Sequence, residues 1–254
     1  MNALLIFVLA VTFSDVKTAP SIQDVLARTA ESVQHFWDQF SSVTCTESVT
    51  QEKMGKEGKV QYEHISSYDY LILMDLQSDD LTVEESRLLQ KETGKSSNLP
   101  LLLTSGFSTL QLIFHPFYQG SFEYKRLEDE VVGGQRLLRI EYRHLPGTRS
   151  TAVVRLRGRD YPLDLTGIAW IDPDSGVIQR ITAGLEASME DLNLRSLKTE
   201  VKYAPQHLSA DGAAEWLPAE ASIDVETARQ HWHNIHKFTG YRQFSVKTET
   251  SISK

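Results

Sequence analysis

Apolar and polar side chains alternate singly from residue 43 to residue 53. Val43, Cys45, Glu47 and Val49 fall on one side of an extended chain and Thr44, Thr46, Ser48 and Thr50 on the other. That period of two predicts a β-strand. Met54-Gly55-Lys56-Glu57-Gly58 supplies a turn. Residues 59–76 then alternate through Val60, Tyr62 and His64, and through Tyr68, Tyr70, Ile72, Met74 and Leu76. Further strands are predicted at 121–128, at 135–144 after the Gly133-Gly134 turn, and at 151–157, 192–203, 215–225 and 242–252. The clearest unit spans 161–185, with strands at 163–171 and 177–183 around Asp172-Pro173-Asp174-Ser175-Gly176. Pro173 presets φ, Asp172 and Asp174 can accept from nearby backbone N–H groups, and Gly176 tolerates positive φ. Ile168 and Trp170 share one face of the first strand; Val177, Ile181 and Ala183 share one face of the second. The inward side is therefore either that of Ile168 and Trp170 or that of Ala169 and Ile171.

Two segments carry a different period. Residues 21–40 place Ile22, Val25, Leu26, Thr29, Val33, Phe36 and Trp37 on one helical stripe, with Ser21 as N-cap and Asp24 three residues on. The polar face holds Asp24, Glu31 and Asp38, which suits a lid on a sheet better than an anionic bilayer. Residues 101–116 predict a second helix, capped by Thr104 or Ser105, running through Phe107, Leu110 and Ile113 and stopping before Pro116. It is apolar nearly all round and so should be buried on several sides. Residues 77–98 are polar, and their pattern leaves 81–91 open between a short helix and an irregular strand. The expected class is mainly β (α+β): a curved antiparallel sheet forming an incomplete barrel, with helices covering its concave side.

Length and charge narrow this picture. A chain of 254 residues with 41% hydrophobic residues fits one large β domain, expected at 20–254. The net charge of −8 argues against a nucleic-acid surface. Residues 1–19 read as an export signal, with an apolar run from Ala3 to Phe13 that is short for a membrane span. No Lys or Arg precedes that run. Cys45 is the single cysteine, so no internal disulfide forms, and a buried strand thiol is the plain reading.

Each candidate for chemistry has a structural alternative. His231 and His233 would share one face of a strand and could chelate a metal, with His236 pointing the other way; no third ligand is visible nearby, and an exposed or cross-strand histidine cluster is the preferred reading. Asp172 and Asp174 lack the later ligands of a calcium loop, where Gly176 and Ala183 stand instead, and read as turn chemistry. Arg155, Arg157 and Arg159 on one strand, and Arg139 and Arg143 on another, suit an anionic headgroup or a solvated face laced with Glu and Asp. The aromatics of the middle of the chain are either core or the lining of an apolar cavity. No nucleophile elbow, zinc-protease helix or phosphate loop is present in the sequence.

The helix, the strand run, the buried helix ahead of the hairpin, and GIAWIDPDSGVIQRI at 167–181 together resemble the periplasmic lipoprotein-carrier group, the LolA/LolB-like superfamily. Asp172, Ser175-Gly176 and Arg180-Ile181 carry the match. WLPAEASIDV and GYRQFSVKTE look like the terminal strands of exported bacterial members. The resemblance implies an open barrel that shelters acyl chains. The expectation is an exported, periplasmic, non-enzymatic binding protein that holds a lipid or other apolar ligand between sheet and helix. Tyr70, Ile72, Leu110, Phe114, Phe122, Tyr124 and Trp170 are its expected ligand-binding residues, with no cofactor, metal, catalytic residue or nucleic acid, and no membrane span in the mature chain. The expected partner is an apolar small molecule or acyl chain, with an envelope protein as a second. The alternative is an envelope interaction module with a filled core. A hydrolase would instead bring shifted titrating groups together in one cleft.

Overall fold

A computed structural model describes residues 20–77, 80–93, 106–156, 159–209 and 212–244. The expected leader, the caps Thr104 and Ser105, Arg157, and the stretch 245–252 lie outside the described residues. Ser21 opens helix α1 (Ile22–Phe40) as predicted: its Oγ accepts from the N–H of Asp24, and the Asp24 carboxylate accepts in return from the Ser21 N–H.

Among the described residues thirteen strands follow: β1 (Val43–Met54), β2 (Val60–Gln77), β3 (Asp80–Thr93), β4 (Phe122–Arg126), β5 (Glu130–Val132), β6 (Gln135–His144), β7 (Val153–Leu156), β8 (Arg159–Pro162), β9 (Leu165–Ile171), β10 (Ile178–Leu185), β11 (Leu194–His207), β12 (Ala214–Thr227) and β13 (His231–Gln243). One sheet runs β3-β2-β1-β13-β12-β11-β10-β9-β6-β4, with β5 paired to β6; β7 and β8 form a separate hairpin. Neighbours in it are antiparallel, and its two edges, β3 and β4, do not meet. The expected class is the observed one, an open antiparallel sheet curved around helices.

Four expectations change. The undecided stretch 81–91 is strand throughout, inside β3. The last described strand is β13, which takes in the histidine stretch rather than starting at 242. Strands β5 and β8 were not predicted. The second helix is a 3₁₀ helix over Phe107–Phe114, with Gly106 as its left-handed N-cap and no side-chain cap. A run of eight residues is long for that conformation. It lies against α1 and strands β10, β11 and β12. We call it the plug, since it occupies the middle of the concave side. A short helix α2 (Pro116–Gln119) follows, with His115 as N-cap accepting from the Phe117 N–H.

The hairpin turn is built as its sequence dictates. Asp172 Oδ1 accepts from the N–H groups of Asp174 and Ser175 at 3.0 and 2.7 Å, and Gly176 has φ +74°. The turn also anchors α1: Arg28 Nη1 donates to the carbonyl of Pro173. Past the turn, a register shift between Ile178 and Arg180 brings Ile178 inward beside Ile181 and Ala183, whereas Val177 stays half-buried.

Candidate functional site

The inward rows of the strands, the apolar stripe of α1 and the plug meet on the concave side. Six of the seven predicted ligand residues lie there. Ile72 and Phe114 are 0% exposed, and Tyr70, Leu110 and Phe122 are buried beside them. Tyr124 is half-buried and donates its hydroxyl to the carbonyl of Ile113 at 2.6 Å. Phe114 packs against the rings of Tyr124 and Tyr142, and Phe122 against Tyr124, Tyr142 and His144. A side chain with no accessible area neither meets solvent nor lines a water-sized void. The apolar space that the sequence suggested is thus occupied by Leu110, Leu112, Ile113 and Phe114 of the plug.

Trp170 is not brought to the other six. Ala169 and Ile171 are the inward residues of β9, and Trp170 turns to the outer face. It is buried there by side chains that lie over it: Arg180 stacks 3.7 Å from the ring centroid and Arg139 5.7 Å, while the indole N–H donates to Glu130 at 2.8 Å. The bond from Trp170, with Arg180 and Arg139 nearby, holds the Glu130 carboxyl below the usual range. Arg143 pairs with Glu186 on the same face. These arginines belong to a surface laced with acids, as one of the two readings expected.

The concave side also holds a charged cluster that sequence reasoning did not single out as a site. Glu47 on β1 is 0% exposed. Arg87 on β3 clasps it with two bonds, Nε to Oε2 at 2.5 Å and Nη2 to Oε1 at 3.0 Å. His236 on β13 donates from Nδ1 to Glu47 Oε1 at 2.8 Å. Burial works against the Glu47 charge, but the bonds from His236 and Arg87 hold its carboxyl below the usual range. Arg87 Nη1 also lies 2.6 Å from Oε2 of Glu85. Its guanidinium sits 5.0 Å from the centroid of the Tyr70 ring. Burial pushes the Tyr70 hydroxyl well above its usual value, and that hydroxyl shares a 2.7 Å hydrogen bond with Ser108 of the plug. The signal was present in the sequence: Glu47 stands in the inward row of β1 where an apolar residue is the rule, and such a charge needs a partner.

Shifted groups therefore do converge, as a hydrolase would require. The void among Glu47, Glu85, Arg87, Ser108, His236 and Phe238 is only about 10 Å³, room for about one water and no substrate. A second arrangement has the outline of a nucleophile, base and acid. His144 Nδ1 lies 2.8 Å from Asp164 Oδ1, and Thr148 Oγ1 lies 3.3 Å from His144 Nε2. The Thr148 hydroxyl gives its proton to the carbonyl of Leu145 at 2.6 Å, and Nε2 faces the carbonyl of Arg149 at 3.1 Å. With its proton committed to the Leu145 carbonyl, Thr148 is not poised to give it to Nε2. This cluster fastens a loop.

On the outer face, His231 Nε2 is 2.8 Å from Asp224 Oδ2 and His233 Nδ1 is 3.7 Å from the same oxygen. His236 points inward, as the strand period requires. Among the described residues no group of three or more His, Cys, Asp or Glu side chains is placed to hold a metal ion. A shallow outer trough of about 380 Å³ lies beside them, lined by Thr182, Lys198, Glu200, Ser222, Asp224 and His233 among others. Cys45 is buried, and desolvation pushes its thiol up to about 12. No helix among the described residues is long and apolar enough to cross a membrane.

No protein-family model matches the chain, and no curated protein matches it. Solved structures do. A DUF1329 family protein from Desulfovibrio piger is 14% identical with a TM-score of 0.43, over 87% of this chain and 92% of that one. A putative outer membrane lipoprotein-sorting protein domain from Vibrio parahaemolyticus is 11% identical with a TM-score of 0.41, over 88% and 95%. The Mycobacterium tuberculosis lipoprotein LppX is 11% identical with a TM-score of 0.26, over 90% and 100%. These are what the chain is similar to. Those residues define a class of fold: an open antiparallel half-barrel whose concave side is filled by a plug.

Proposed function

We propose that this is a non-enzymatic binding protein of the cell envelope, exported by the leader at 1–19. It takes a lipid or other apolar ligand into its concave side when the plug moves aside. The observation that carries the reading is the plug itself. Phe107–Phe114 is an eight-residue 3₁₀ helix, buried from Ser108 to Phe114. A conformation with poorer hydrogen-bond geometry than an α-helix fills the place where an acyl chain would lie. An apolar ligand would replace the contacts of Leu110, Leu112, Ile113 and Phe114 with Tyr70, Ile72, Phe122 and Tyr124, at about 25 cal/mol per Å² of apolar area.

The test is uptake of a fluorescent fatty-acyl probe by the purified protein, with organic extraction of the untreated sample for co-purifying lipid. Saturable binding that is competed by unlabelled fatty acid supports the reading. A protein that yields no lipid and takes up no probe would sink it. A second reading would then stand, an interaction module with a filled core. The closed state favours it, with Ile113, Phe114, Ile140 and Val201 all at 0% exposure.

A further inference from the structure

We propose that Glu85 on β3 and the backbone N–H of Gly106 at the head of the plug form an ionic latch, tensioned by Arg87, and that neutralising the Glu85 carboxylate lets the plug open. The inference rests on the reading that the concave side receives a ligand, because a gate there has no use otherwise.

The geometry singles out Glu85. Gly106, the N-cap of the plug, has φ +85° and offers no side-chain cap of its own. That N–H donates to Glu85 Oε1 at 2.5 Å. The other oxygen, Oε2, is buried and lies 2.6 Å from Arg87 Nη1, yet it is too poorly aligned to count as hydrogen-bonded. Arg87 meanwhile gives two well-formed bonds to Glu47. Two carboxylates thus share one guanidinium, and Glu47 holds the better share. Glu47 has His236 as well. The groups facing Glu85 are Arg87 on its own strand, Glu47 on β1, Tyr70 on β2, His236 on β13 and the Gly106 N–H at the plug.

Removing the charge of Glu85 would cancel its attraction to Arg87 and weaken the bond from Gly106, while Arg87 stays committed to Glu47. Other polar ties of the plug are further along it: Tyr70 to Ser108 at 2.7 Å, Tyr203 to the Ser108 carbonyl at 3.4 Å, Tyr124 to the Ile113 carbonyl at 2.6 Å, and Gln119 Nε2 to the Phe114 carbonyl at 3.0 Å. Loss of the Glu85 bond would therefore free the head of the plug first. Because β3 is an edge strand, Glu85 reaches the plug from the open rim of the sheet.

The experiment is amide hydrogen exchange of the full chain, followed by mass spectrometry and corrected for intrinsic exchange rates. Glu85→Gln keeps the shape and one acceptor but removes the charge. At neutral pH it should lower protection of the amides at 107–114 roughly tenfold and leave β9 to β12 unchanged. Asp164→Asn, at the distant His144 clamp, should leave the plug at its wild-type protection. Equal plug protection in Glu85→Gln and wild type overturns the latch, as does a loss spread evenly over plug and strands. If Glu85→Gln does not fold, Glu85→Asp decides instead: it keeps the charge but shortens the reach to the Gly106 N–H, and a plug as protected as in the wild type overturns the proposal. Exchange needs no ligand. A plug that opens as expected in a protein that takes up no acyl probe would end the ligand reading and keep the latch.

Discussion

Tyr142 donates its hydroxyl to the carbonyl of Thr182 at 2.6 Å, reaching across the strand between them where Gly167 lacks a side chain. Gly167 sits between Tyr142 on β6 and Ala183 on β10. A Cβ added there would fall 1.8 Å from the Thr182 oxygen and 2.7 Å from the Tyr142 hydroxyl. The glycine thus lets a fully buried tyrosine tie three strands together, covering the bare backbone with its ring. Gly167→Ala should destabilise the protein by about 3 kcal/mol, by overpacking and by displacing that bond. Tyr142→Phe should cost less, about 1 kcal/mol. Urea midpoints measure both; an alanine variant as stable as the phenylalanine variant would show that the strand shifts freely at this point.

Gly176 combines two demands. Its φ is +74°, and a Cβ would lie 2.6 Å from the carbonyl oxygen of Arg28 in α1. Gly176→Ala should therefore cost about 2 kcal/mol, through backbone strain and the loosened seat of α1. Gly133, whose φ is +58° with open space around the added Cβ, should lose only the strain part, about 1 kcal/mol. Thermal melts of the two alanine variants give the comparison. Equal losses would mean that the turn and α1 are not packed as described.

The contrast between these glycines shows what the sequence made legible. The turn at Asp172–Gly176 and the capping box at Ser21 are local, so residue types a few positions apart were enough to find them. The inward side of β9 was left open, because Trp170 is large and apolar but is covered on the outer face by Arg139 and Arg180, and only tertiary structure shows that stack. Strand β3 was hidden for a related reason. Its inward row contains Glu85 and Arg87, which breaks the apolar alternation; the pair is tolerated inside because Glu47, His236 and the plug meet it there. The start of β13 is masked in the sequence because its inward row mixes Trp232, Asn234, His236 and Phe238. The long-range pairings that create the candidate site are the part that no local period reports.

Removing one member of the buried cluster should be costly. Arg87→Met leaves Glu47 and Glu85 without their shared cation, and such a loss costs about 3–5 kcal/mol. Glu47→Gln alone should also destabilise, since Arg87 and His236 then lose their charged acceptor. Made together, the two changes should cost clearly less than their sum, because each removes the other's reason to be paired. A double-mutant cycle by urea denaturation measures the coupling. Strict additivity would mean that the clasp seen between Arg87 and Glu47 contributes nothing.

The same cluster sets a direction for acid stability. The Glu47 carboxyl is held below its ordinary value in the folded protein, whereas the unfolded chain titrates it near about 4.3. The unfolded state thus binds its proton first as pH falls. The stabilisation from ionised Glu47 is fully present above that ordinary value and is lost as pH falls through the lowered folded one. Asp172 contributes in the same direction: burial opposes its charge, but the bonds from Ser175, Asp174 and Gln135 hold it low. Urea midpoints followed into acid should fall more steeply for wild type than for Glu47→Gln. Parallel curves would show that Glu47 does not carry the acid sensitivity.

Cys45 gives a readout of core closure that needs no engineering, because it is the single cysteine of the chain. It is 1% exposed on β1, in the inward row that also holds Glu47. Burial pushes its thiol up to about 12, outweighing a bond from Tyr241. At neutral pH its thiolate is then about three thousandfold scarcer than that of an ordinary cysteine near 8.5. Access through the folded structure is closed as well, so alkylation should wait for opening of the protein. The native chain should react at least about a thousandfold more slowly than the urea-unfolded chain. A saturating acyl ligand that replaces the plug would keep Cys45 covered and leave this rate low. Alkylation of the native protein at the unfolded rate would mean that the concave core is open in solution, and the filled state could not then be its resting form.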